Sequence, residues 1–172
     1  IKAVDIHKGL DSTLLILQHQ FQGKGGRPDI NLIKNYGSLP KVECYPGQLN
    51  QVFMHILTNA IDSLEEKHED LVTKNISDQP FEPQILISTK VRDDSVEIAI
   101  SDNGYGMTEE ISSRIFEPLF TTKHTEKNIG LGLSISQELI VEKHHGKLYC
   151  NSRGREGSEL IIEIPIKFGH SS

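Results

Sequence analysis

The 172 residues are 36% hydrophobic and 24% charged, enough for one domain with a full core and a few long polar loops. Eighteen basic against twenty-four acidic residues give a net charge of −6, which argues against a surface built for duplex nucleic acid or anionic membranes. No apolar run approaches the roughly 20 residues that span a bilayer and no secretory leader is visible. The isolated Cys44 and Cys150 suit a reduced, intracellular setting better than a metal site or disulfide framework.

In chain order, residues 1–5 read as a short strand. Asp5 can cap a helix over about 6–20, with Leu10, Leu14, Leu15, Leu17 and Phe21 as its apolar face. The turn cluster Gly23-Lys24-Gly25-Gly26-Arg27-Pro28 ends it, and strands follow over roughly 29–35 and 41–45. The clearest helix covers about 47–67. There Leu49, Val52, Phe53, Ile56, Leu57, Ala60, Ile61 and Leu64 recur at three- and four-residue spacing, and His55, Asn59 and Asp62 form one polar stripe. Residues 68–83 read as a polar loop. Strands over 84–92 and 95–102 meet at Asp93-Asp94 as a hairpin, and Thr108 caps a short helix with Glu109 and Glu110 in its first turn. Polar turn chemistry over 117–130 leads to a helix at about 132–145 and strands near 146–152 and 158–167. Alternation is not regular βαβ, so the reading is α+β: a two-layer sandwich of one mixed sheet with three helices on one face, in a single domain over 1–172.

Four segments carry more than structure requires. The His55, Asn59, Asp62 stripe lies beside an apolar face; it can be a solvated edge, or amide and carboxylate oxygens suited to Mg²⁺. Ser101-Asp102-Asn103-Gly104-Tyr105-Gly106-Met107 stands at a strand end. It can be a tight turn, or a carboxylate placed for an amine, with glycines that permit close approach. Ile115-Phe116-Glu117-Pro118-Leu119-Phe120-Thr121-Thr122-Lys123 offers aromatic anchors, two hydroxyls and a cation, or simply an anchored loop. Asn128-Ile129-Gly130-Leu131-Gly132-Leu133-Ser134 opens a helix whose first amides could meet an anion. Neither glycine segment continues as the G-x-G-x-x-G of a dinucleotide fold.

Together and in this order, the four segments resemble the N, G1, F and G2 boxes of the GHKL ATP-binding domains. They look most like the catalytic ATP-binding domain of sensor histidine kinases. The resemblance covers nearly the whole chain and implies the Bergerat ATP-binding fold, with ATP held between helices under a mobile lid over about 108–131. By resemblance, Asn59 would coordinate Mg²⁺ bridging the phosphates, with Asp62 near the phosphates or the metal's waters. Asp102 would bind the adenine amine, and Gly104, Gly106 and Met107 would border the base. Phe116 and Phe120 would anchor the lid, and Thr122 and Lys123 would reach toward the phosphates. Backbone amides of Gly130, Leu131, Gly132 and Leu133 would cradle them, and Gly157-Ser158 looks like the family's small glycine turn before the last strand.

His55 is a departure. The hydrolysing branches of the superfamily (gyrase, mismatch-repair proteins, the ninety-kilodalton heat-shock chaperone) carry a water-activating Glu four residues before the magnesium Asn, and histidine kinases usually carry Asn there. His55, Asn59 and Lys123 are therefore the candidate catalytic residues of a phosphoryl donor. The alternatives are a conformational ATPase of the same superfamily and a nucleotide-free docking module. The family's phosphoacceptor resembles His-Glu/Asp-x-x-x-Pro. His68-Glu69 starts like it, but Thr73 replaces the proline; this and His7, His19, His144 and His145 read as ordinary surface histidines. The start at Ile1 suggests a fragment whose parent places a dimerisation hairpin upstream. The implied partners are ATP/ADP, the dimerisation and histidine-phosphotransfer domain and, indirectly, a response regulator. No nucleic acid and no direct membrane contact are expected, and the implied location is cytoplasmic.

Overall fold

The computed structural model describes residues 1–74, 81–107, 112–117, 132–152 and 157–168. Its elements are β1 (Lys2–Val4), α1 (Ile6–Ile16), α2 (Gln18–Phe21), β2 (Asn31–Tyr36), β3 (Val42–Cys44) and α3 (Pro46–Lys74). Then come β4 (Gln84–Arg92), β5 (Ser95–Asp102), α4 (Gly132–Glu138), a π-helical turn (Leu139–Lys143), β6 (Lys147–Ser152) and β7 (Ser158–Pro165). Five strands form one mixed sheet in the order β2-β4-β5-β7-β6, parallel only between β2 and β4. The α+β sandwich is present with one addition. β1 and β3 stay out of that sheet and pair antiparallel as a separate two-stranded one, Ala3 opposite Glu43.

Alternation along the strands sorts the sheet's faces. Ile87 of β4, Ile98 of β5 and Ile162 of β7 are fully buried and share one core with Leu10 of α1 and Phe53, Leu57 and Ile61 of α3. The opposite face carries charge. Glu97, only 8% exposed, is compensated by Arg92 at 3.3 Å and Lys90 at 3.8 Å, and Arg92 also reaches Glu163 at 3.6 Å.

Asp5 caps α1 as expected, its Oδ1 accepting the His7 N–H at 2.9 Å. The helix read over 6–20 breaks at Leu17, and α2 resumes at Gln18. Leu15 does not join the apolar face; it is 66% exposed, because the inward stripe runs Ile6, Leu10, Thr13, Leu14, Leu17 at three- and four-residue spacing. Beyond α2, the buried Arg27 guanidinium donates to the carbonyls of Gln20 and Gln22 and so satisfies the helix end.

α3 also departs from the expected bounds. It begins at Pro46, where a missing N–H is harmless, and continues to Lys74, so 68–74 of the expected loop is helix. Neither glycine nor proline interrupts 68–74, and Asp70 pairs with Lys74 at 2.9 Å one turn on. The final helix, expected over 132–145, is α-helical only to Glu138 and then becomes the π turn; His145 leaves it at φ 56°.

Three of the five histidines read as surface residues are not so. His7 stacks on Tyr36 with ring centroids 4.2 Å apart and bonds Thr89 Oγ1 at 2.7 Å. His68 lies half-buried on α3. His144 is 2% exposed: Nδ1 donates to the Leu139 carbonyl at 2.8 Å, and Nε2 accepts the Tyr45 N–H at 3.1 Å. That bracket fixes the neutral tautomer and ties the π turn to the start of α3. Burial pushes the His144 pKa below its ordinary value, as it does for His55.

A histidine held neutral in the fold binds protons more readily in the unfolded chain, so acid favours unfolding. The contribution is complete above the ordinary value of 6.5 and is lost as pH falls through the lower folded value. Urea midpoints should therefore drop between about pH 7 and pH 5. His144→Leu should cost about 1–3 kcal/mol at neutral pH and flatten part of that dependence.

Candidate functional site

The polar stripe runs along the middle of α3. His55, Asn59 and Asp62 are each half-buried, and Ile56, Leu57, Ala60 and Ile61 between them are buried. Two other elements come down on this face. Gly132, the first residue of α4, lies against the His55 ring; a Cβ there would stand 3.5 Å from the imidazole. One turn further along α4, the fully buried Ser136 has its Oγ 3.3 Å from His55 Nδ1. Burial lowers the His55 pKa, a hydrogen bond with the Gly132 backbone working the other way, so the ring is neutral at pH 7.

The second element is the end of β5. Asp102 is its last residue, in register with Ser158 on β7. Its Oδ1 accepts the Gly104 N–H at 2.9 Å, and Oδ2 accepts from Ser158 Oγ at 3.1 Å. Both glycines around it are dictated by space. A Cβ at Gly104 would come within 2.6 Å of Ser63 Oγ on α3 and 2.9 Å of Asp102 Oδ1. Gly157 sits at φ +129° against the Asp102 carbonyl, a conformation and a proximity that side-chain-bearing residues avoid.

Around this point Gly106 and Met107 are half-buried, and Met107, Phe116 and Leu133 pack against the core, with Ile115 buried beside Phe116. Phe120, Thr122, Lys123, Gly130 and Leu131 lie outside the described residues, as do Thr108 and most of the expected 108–131 lid. Burial first, then the charges of Asp102 and Glu159, push the Cys150 thiol up to about 11; burial does the same for Cys44. Both are therefore protonated thiols at neutral pH, and neither is in a disulfide.

The structure thus brings Asp102 and Gly104 onto the Asp62-Ser63 turn of α3, and Gly132 onto His55 one turn before Asn59. Ionised Asp102 is an acceptor-only group and suits an amine. Asn59 and Asp62, one turn apart, offer hard oxygen donors of the kind Mg²⁺ takes when phosphate and water oxygens complete its shell, so the donor set fits that ion. Ser63, Lys67, Ser136 and Ser158 are residues of this neighbourhood whose contacts sequence reading did not assign. Ser63 and Lys67 follow Asn59 by four and eight residues, a helical spacing that could have revealed them.

Residues 44–167 match the family described as histidine kinase-, DNA gyrase B- and HSP90-like ATPase. The chain is 36% identical over 129 residues to sporulation kinase E of Bacillus subtilis, covering 75% of this chain and 15% of that protein. It is 32% identical over 139 residues to sensor kinase CckA of Brucella abortus, covering 80% and 14%. It therefore spans a small part of the curated relatives it matches. The nucleotide-free catalytic domain of histidine kinase ThkA superposes with a TM-score of 0.76 at 22% identity, over 97% of both chains. Full-length ShkA in complex with AMPPNP gives 0.76 at 22% identity, over 99% of this chain and 32% of that one. The fold is shared with these catalytic domains, and the family match runs from β3 past β7 through the α3 stripe and the anchored Asp102: the chain belongs to the histidine kinase-, DNA gyrase B- and HSP90-like ATPases, and its relatives there are sensor histidine kinases.

Proposed function

We propose that this domain binds Mg-ATP against α3 and donates the γ-phosphoryl group to a histidine on a separate dimerisation domain, in two-component signalling in the cytoplasm. The observation that carries the reading is the Asp102 carboxylate, held by the Gly104 N–H and the Ser158 hydroxyl where β5 meets the Asp62-Ser63 turn of α3. A carboxylate fixed this way is aimed before any ligand arrives, which spares the ordering cost of recognition.

In this reading Asp102 accepts from the adenine amine while Gly104, Gly106 and Met107 border the base. Asn59 would hold the metal through its amide oxygen, with Asp62 meeting phosphate or metal-bound water. Bound Mg²⁺ supplies charge neutralisation across the phosphates. Phe116 and Phe120 would anchor the lid, Thr122 and Lys123 would take the terminal phosphate, and the amides of Gly130 to Leu133 would cradle the chain of phosphates. An imidazole nitrogen of the acceptor then forms the N–P bond as the bond to the β–γ bridging oxygen breaks, that electron pair leaving on ADP. The domain's work is positioning. A response regulator is the next acceptor in this scheme. His55 supports transfer over hydrolysis: it is neutral and engaged with Ser136 where the hydrolysing branches carry a carboxylate. Among the described residues no helix is long and apolar enough to cross a membrane.

Calorimetric titration with a non-hydrolysable ATP analogue tests both ends of the site. Asp102→Asn places an NH₂ against a donor, and it should weaken binding by about tenfold to a hundredfold, the worth of a charged hydrogen bond. Affinity equal to the parent's would remove Asp102 from the base. Asn59→Ala should lower affinity in the presence of Mg²⁺ far more than in its absence. Equal losses in both conditions would rule out the metal role.

A further inference from the structure

We propose that Lys67 is a positioning residue for base recognition, its ammonium gripping the Asn103 carbonyl so that the Asp102 carboxylate is set for a 6-aminopurine. The inference builds on the reading of Asp102 as the partner of adenine.

Lys67 sits one turn beyond Ser63 on α3. Its Nζ donates to the Asn103 carbonyl at 2.9 Å and lies 4.7 Å from the ring centroid of Phe81 and 5.5 Å from that of Tyr105. Two aromatic faces therefore flank the cation and hold it in place. The carbonyl it grips belongs to the same planar peptide as the Gly104 N–H, which donates to Asp102 Oδ1 at 2.9 Å. Fixing one end of that plane fixes the other, and a cation on the oxygen strengthens the N–H as a donor. Rotation of this peptide is the motion that would release Asp102, and Lys67 opposes it.

The rest of Asn103 is already committed to β4. Its N–H donates to the Gln84 carbonyl at 3.3 Å, its Oδ1 accepts the Gln84 N–H at 2.7 Å, and its Nδ2 donates to the Glu82 carbonyl at 2.8 Å. Thus β4 holds the residue from the sheet side and Lys67 holds it from the helix side. A second tie from the same end of α3 lies on the other side of Gly104, where Tyr105 OH donates to Asp70 Oδ2 at 2.7 Å. The two charges also sense each other: burial lowers the Lys67 pKa, and the Asp102 carboxylate works against that shift.

The test compares two ligands on the same chain: an ATP analogue, and the matching purine riboside triphosphate that lacks the 6-amino group. Lys67→Met should weaken the first by about tenfold and leave the second unchanged, because only the amine contact depends on the aim of Asp102. Lys67→Arg should restore the preference, since a guanidinium can donate to a carbonyl while stacking on aromatic rings. Equal loss for both ligands, or no change for either, overturns the positioning role; Lys67→Gln, with folding checked by circular dichroism, replaces the Met variant if that one does not fold. Asp102→Asn is the control. If it leaves the preference intact, the adenine reading fails; if it abolishes the preference while Lys67→Met does not, only the role of Lys67 fails.

Discussion

The approach of Gly104 to Ser63 is the contact on which the site depends. There the last strand residue, the following loop and the central helix meet with no room for a side chain at position 104. A carboxylate brought this close to a packed interface loses water and must find donors from the protein. Asp102 finds them in the backbone it precedes and in the strand it pairs with, so its position follows from the sheet's register and the helix's location together. A displacement of either layer would be felt at the carboxylate.

α3 acts as a spine fastened at several heights. At its start, the Tyr45 N–H meets the His144 ring; in the middle, His55 meets Ser136; further on, Ser63 meets Gly104, and Lys67 meets Asn103. Each tie joins the helix to a segment distant in sequence, and most involve a buried or half-buried polar group. Such groups add direction that apolar packing lacks, because a hydrogen bond fails with a shift that a Leu–Ile contact would absorb. The apolar side of α3 holds it on the sheet, and the polar side sets its rotation.

Much of this was legible in the sequence because its signal is local. Alternation gave β4, β5 and β7 within a few residues, the three- and four-residue spacing gave the core face of α3, and Asp102 with Gly104 stood out as a strand-end carboxylate with a permissive neighbour. What escaped depends on distant partners. The pairing of β1 with β3 is a choice among strands that no single segment encodes. The helix beyond residue 67 looked like a polar loop because its support comes from Asp70 pairing with Lys74 and Tyr105, not from an apolar stripe. Arg27 and His144 are polar letters in polar stretches, yet both are buried because backbone carbonyls or amides await them. Leu15 erred the other way, an apolar residue on the outward side of a short helix.

The π-helical turn has a consequence for which changes of length this region can accept. A π turn holds one residue more than an α turn, and here the surplus lies between Glu138 and His144. Removing one residue from 139–143 would let the helix run on as a regular α-helix, with α4 undisturbed. Everything after it would be rotated by about 100°. The chain would enter β6 one residue out of phase, turning the buried Leu148 outward and Tyr149 inward. The number of residues between Gly132 and Lys147 is therefore a structural quantity in its own right, and related chains should vary the letters in this stretch far more readily than its length.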